Sequence, residues 1–201
     1  WSSDVCSSDL TTDANVVQNA AGAITADKLA VIIGGAGGNA TLNNATNSIK
    51  FFDGILLGSG AFAYKSDKNV FISAPITAKG GVGILTSGSI FSNNNIDATG
   101  ADVSLTTTGA GLGITFNGST VTANKLLLGT NDGNVAMSAA SQSIGTLGGS
   151  NLGNGALDLK AAGNLDVVGT VTAKGGITLT SAGTLSWGGN LDAGASTLAL
   201  A

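Results

Sequence analysis

Arginine, histidine and glutamate are absent from this chain, cysteine and proline occur once each, and aromatic residues make up 4% of its 201 positions. Each shortage closes off a class of function. Eight lysines against twelve aspartates give a net charge of −4 and no basic patch, so nucleic acid is not an expected partner. No apolar run approaches the ~18 residues of a bilayer-spanning helix, so no transmembrane helix is expected. Charged residues are only 10% while hydrophobic residues reach 43%, a balance opposite to that of a disordered chain. The chain is expected to fold.

What is abundant is small or β-branched. Glycine stands at 32, with many Asn, Ser, Thr and Ala, and these types suit short strands separated by tight turns. Strict alternation confirms the strands locally: Leu157-Asp158-Leu159-Lys160, Ile177-Thr178-Leu179-Thr180, Val103-Ser104-Leu105-Thr106 and Val82-Gly83-Ile84-Leu85 each place an aliphatic residue at every second position. No segment keeps a helical period. Leu157 to Ile177 is 20 residues, Val82 to Val103 is 21, and a further strand pattern opens at Thr197, 20 after Ile177. A period of about 20 residues fits one coil of a β-solenoid, and the Leu-x-x-Leu-x-Leu signature of leucine-rich repeats is missing.

A longer echo overlies the coil. Ile76-Thr-Ala-Lys-Gly-Gly-Val82 matches Val171-Thr-Ala-Lys-Gly-Gly-Ile177 at an offset of 95, and Ile24-Thr-Ala-Asp-Lys-Leu29 matches Val121-Thr-Ala-Asn-Lys-Leu126 at 97. Both offsets are nearly five coils at the expected period, as if the array had grown by duplicating blocks. Inward positions carry Ile, Leu, Val and Ala, and Gly and Asn take the corners. Asn43-Asn44, Asn47 and Asn93-Asn94-Asn95 are either stacked amide ladders or plain turn residues. Residues 125–156 hold the weakest alternation and read as one coil with an insertion or two irregular coils.

Gln18-Asn-Ala-Ala-Gly-Ala-Ile-Thr-Ala26, Ala40-Thr-Leu-Asn-Asn-Ala-Thr-Asn47, Ile76-Thr-Ala-Lys-Gly-Gly81 and Ile177-Thr-Leu-Thr-Ser-Ala-Gly183 resemble the repeat region of large bacterial exoproteins of the filamentous haemagglutinin type. The resemblance spans residues 11–201 and is one of repeat texture. It implies an all-β, right-handed, single-stranded parallel β-helix from a secreted or cell-surface protein of a Gram-negative bacterium, exported by two-partner secretion or as an autotransporter. The partners it implies are surface glycans or proteins of host or neighbouring cells, and an outer-membrane translocator. The first ten residues, WSSDVCSSDL, have a different texture and resemble a translated sequencing adapter. They are expected to stand outside the repeat register, which would remove Trp1 and Cys6 from functional consideration and leave residues 11–201 as a β-helix segment open at both ends.

Parallel β-helices also carry polysaccharide lyases and hydrolases, which need carboxylates converging on one face. The aspartates from Asp13 to Asp192 are scattered, and Asp158 and Asp166 are the nearest pair, within one coil. No catalytic residue, cofactor-binding residue or metal ligand is assigned on this basis, and no cofactor is expected. Gly34–Leu42 lacks the carboxylate of a calcium nonapeptide, Asn131-Asp-Gly-Asn134 reads as a tight turn, and Gly109–Gly113 lacks the lysine of a phosphate loop. The Thr106–Thr108 and Thr178–Thr180 runs do not recur in every coil, as an ice-binding array requires. The remaining lead is aromatic: Phe51, Phe52, Phe62, Tyr64 and Phe71 cluster in sequence, and Phe51-Phe52 on a strand must send one ring inward and one outward.

Overall fold

The computed structural model describes residues 8–19, 21–35 and 37–201. These residues form strands and turns with no helix, wound into a parallel β-helix of about nine turns at about 21 residues per turn. Every strand pairing is parallel, because each strand lies beside the strand one coil on. The alternation read from sequence is the mechanism. In Val82–Thr86 the residues Val82, Ile84 and Thr86 face in and are buried while Gly83 and Leu85 face out, and Val103–Thr107 repeats that phase above it.

Inward residues stack into columns that run the length of the molecule. One column passes through Ala40, Phe62, Val82, Val103, Leu126, Leu147, Val167 and Trp187. A second passes through Val70, Ile90, Ile114, Val135, Leu157, Ile177 and Leu198. A third links Ile55, Ile76, Ile96 and Val121. Apart from Trp187 and Leu198 at the end of the stack, their side chains form one continuous core, almost wholly excluded from water. Burying a residue of this size is worth about 1.5–3 kcal/mol, so the stacked columns are the main source of stability.

Three sequence expectations need correction. The partner of Ile177 is Leu198, one residue beyond Thr197. This places Leu198 over Ile177 and Leu200 over Leu179, in phase with the inward positions of the preceding coil. The strand Ser8–Thr12 pairs with Leu29–Ile33, Leu10 opposite Val31, so the register begins before Thr11. That pairing is main chain to main chain and needs only extended backbone, with Leu10 falling in the inward phase against the core. Trp1 and Cys6 lie outside the described residues.

The echoed blocks do not stack on one another. At about 21 residues per turn an offset of 95 is about four and a half coils. The matched segments keep their local hydrogen bonds: Gly81 N–H donates to Ala78 O and Gly176 N–H to Ala173 O, both at 2.9 Å, and Gly60 and Gly155 donate to Leu57 and Leu152 in the same way. Yet Phe62 and its counterpart Leu157 lie in different columns, as do Ile72 and Val167. The five-residue side of the early coils, Phe62–Ser66, thus sits in one column and its later equivalent, Ala156–Ala161, on another side of the rod. The exchange is accommodated by the long strands Ile96–Ala110, Val121–Asn131 and Val135–Leu147.

Residues 125–156 accordingly belong to parts of two coils. Their weak alternation marks a bulge: Met137 pairs with Leu159 but Gln142 with Ala161, so three extra residues lie between them. The fully buried Gln142 holds the bulge, its Oε1 accepting from Val121 N (2.7 Å) and its Nε2 donating to Met137 O (3.0 Å) and Ala140 O (2.9 Å).

Candidate functional surface

The asparagines serve the stack itself. Asn immediately before a strand accepts a backbone N–H from the coil above: Asn15 from Asn39, Asn39 from Ala61, Asn69 from Ser89, Asn95 from Thr120, Asn134 from Ala156 and Asn164 from Thr184, all at 2.8–2.9 Å. Of the clusters singled out in the sequence, Asn93 is amide-paired with Asn117 at 3.2 Å and Asn47 with Gln18 at 2.6 and 2.9 Å, so short side-chain ladders do form. Asn43 lines a shallow outer groove with Lys65 and Leu85.

The aspartates are dispersed over the outside. Asp53, Asp67 and Asp102 pair with Lys28, Lys68 and Lys125 at 3.1–3.3 Å, and all these side chains are well exposed, where such pairs add little stability. Asp97 accepts from the N–H and hydroxyl of Thr99, which hold its carboxyl below the usual range. Asp158 and Asp166 do not meet. Asp158 stacks between Ala136 and Thr178 and accepts from Ser138, whereas Asp166 lies in another column beside Thr146 and accepts from Ser186 at 2.9 Å. Among the described residues no three carboxylates gather closely enough to hold a metal ion.

The glycine-rich motifs are corners. Asp132 adopts φ +65° in the Asn131–Asn134 turn and accepts from Asn154 N at 2.8 Å, and Gly111 takes φ +71° between the strands that flank it. In the threonine run Thr107 is buried and donates to Leu112 O at 2.7 Å, so no flat hydroxyl face forms there.

The aromatic cluster divides as strand geometry requires. Phe52, Phe62 and Tyr64 face in; Phe52 packs edge to face on both others, with centroids 4.8 Å apart for Phe52 and Tyr64, while Phe62 and Tyr64 lie nearly parallel. Among the described residues the buried Tyr64 hydroxyl has no hydrogen-bond partner, and burial pushes its pKa up to about 12. Phe51, Phe71 and Phe91 face out in one column and form a ladder, with centroids 5.6 and 5.0 Å apart. Lys50 Nζ sits 5.2 Å over the Phe51 ring. Phe71 and Phe91 are nearly parallel, so their faces cover each other and mainly their edges meet solvent. A ladder of this form shields the strands beneath it and offers little ring face for a sugar.

The surface has one further departure from regularity. Ala98 pairs with Ala123 and Asp102 with Lys125, so Thr99, Gly100 and Ala101 bulge out against Asn124 alone. The next coil lies flush, Thr122 beside Ser143 and Ala123 beside Ile144. Beyond it Ala162 and Gly163 stand out again, leaving a groove of about 430 Å³ between two raised corners. No family model, curated protein or solved structure matches this chain. The groove and the aromatic ladder therefore have to be read from their own chemistry. The ladder was legible as a period of 20 in Phe51, Phe71 and Phe91. The groove was not, because it arises from unequal corner lengths in coils that the alternation alone does not distinguish.

Proposed function

We propose that this chain is a stalk segment of a large secreted or surface-exposed bacterial adhesin, of the filamentous haemagglutinin type its repeats resemble. The observation that carries this reading is the continuity of the stack. About nine coils at a spacing of about 4.8 Å give a rod about 45 Å long. Many of its polar side chains join one coil to the next. The asparagine caps and the Asn47–Gln18 amide pair act along the rod axis, an organisation suited to holding a binding surface away from a cell and repeating weak contacts along a flank. The dispersed aspartates, with Asp53, Asp67 and Asp102 paired to lysines and Asp158 and Asp166 in separate columns, favour this reading over a carbohydrate-active β-helix enzyme.

The test couples both readings. Beads bearing the chain at high density are expected to attach to cultured epithelial or bacterial cells several-fold above beads bearing serum albumin. Neither reducing ends nor unsaturated uronides are expected to accumulate from polysaccharides incubated with it. Beads that fail to attach, together with release of sugar ends, would replace the adhesin reading with the enzyme one.

A further inference from the structure

A rod built from repeated coils presents repeated surface, and the groove beside Asn124 and Gly145 interrupts that repetition. Its walls, the corners at Thr99-Gly100 and Ala162-Gly163, stand three coil spacings apart, about 14 Å between backbones. Allowing for the atoms of the walls, the opening has the width of one pyranose chain. The Thr99 wall is fixed by its two hydrogen bonds to Asp97.

We propose that this groove binds a neutral oligosaccharide, which supplies a ligand class for the adhesin reading and rests on it. The Ala123 and Ile144 side chains are almost wholly buried beneath the floor, and Gly145 leaves the surface above them open to a C–H face of a sugar ring. Around them stand the Thr122 and Ser143 hydroxyls and the Asn124 amide, none of which makes a hydrogen bond within the described residues. That set of donors and acceptors matches sugar hydroxyls. Two other ligand classes fit less well. The strands under the groove are paired on both sides, so an extended peptide would find no free main-chain edge to join. No lysine lines the groove, and Lys125, next to Asn124 in the chain, is paired with Asp102 at 3.1 Å, so an acidic glycan gains no free positive charge there. With no aromatic ring in the lining, affinity per site is expected to be weak, and dense display would raise it.

The test is saturation-transfer NMR and titration calorimetry on the full chain with cellotetraose, maltotetraose and chitotetraose. Tetragalacturonate serves as the charged comparison. A Cβ on Gly145 would meet nothing closer than Asn124 O at 3.6 Å, so Gly145→Trp fills the groove without backbone strain; Gly83→Trp, where a Cβ meets nothing within 4 Å, places the same ring on another face. At least one neutral tetrasaccharide is expected to bind, with Gly145→Trp lowering its affinity at least tenfold and Gly83→Trp leaving it unchanged. Circular dichroism checks that both variants keep the fold. Absence of binding by all three neutral sugars, tighter binding of tetragalacturonate, or unchanged binding by Gly145→Trp would overturn the proposal. Beads that attach to cells while the sugars do not bind would remove this site and leave the adhesin reading standing; sugar binding without cell attachment would do the reverse.

Discussion

At the residue scale, the informative side chains are polar ones used inside or at the edge of the stack. Asn47 is fully buried, and its amide joins Gln18, Ile24 N, Leu42 O and Lys65 O across neighbouring coils. Asn47→Ala leaves Gln18 and buried main-chain groups without partners, and each such group costs about 1–3 kcal/mol. The expected loss is about 2–4 kcal/mol in urea unfolding, against less than about 0.5 kcal/mol for Asn93→Ala, whose single amide contact is exposed. The sequence pointed to both asparagines without separating them, because burial depends on which side of a corner the residue occupies. A more specific signal was present in the Asn-aliphatic pairs Asn39-Ala40, Asn69-Val70, Asn95-Ile96, Asn134-Val135 and Asn164-Leu165. Each marks the start of a strand and the cap of the strand above. Nothing in the sequence marked Tyr64 as a buried hydroxyl without a partner, since that follows from the three-dimensional packing of Phe52 and Phe62 around it.

At the element scale, alternation located the strands and the 20-residue spacing located their partners, because both follow from backbone periodicity. The placement of the echo on different sides was not legible, because it depends on the long strands and bulges between the matched blocks. Corner glycines are the local constraint that makes the stacking close. A Cβ on Gly155 would lie 2.0 Å from Gly133 O, a contact only a shift of backbone could relieve, whereas the outward Gly83 has nothing within 4 Å. Gly155→Ala is expected to destabilise the chain by about 2–4 kcal/mol through displaced coil pairing. Gly83→Ala is expected to leave stability unchanged or raise it by up to about 1 kcal/mol, since alanine restricts the unfolded chain at a position with ordinary backbone angles. Guanidinium unfolding of the two variants measures the contrast.

At the scale of the whole molecule, each coil touches only its neighbours, so stability is distributed along one axis. Strands within the stack, such as Val82–Thr86, pair with a strand on each side, whereas Leu185–Trp187 and Leu198–Leu200 pair on one side only. The exposure of inward residues follows the same gradient: Val167 and Ile177 are fully covered, while Trp187 and Leu198, in the same columns, are 53% and 47% exposed. Amide hydrogen exchange of the 201-residue chain is therefore expected to be slowest from Val82 through Leu128 and faster by at least tenfold in Leu185–Leu200, with protection rising coil by coil between them. A globular domain with one compact core would instead open as a unit and give the same limiting protection in all its strands. Uniform exchange along the chain would show that the coils unfold together, and it would contradict a rod whose stability is the sum of neighbouring contacts.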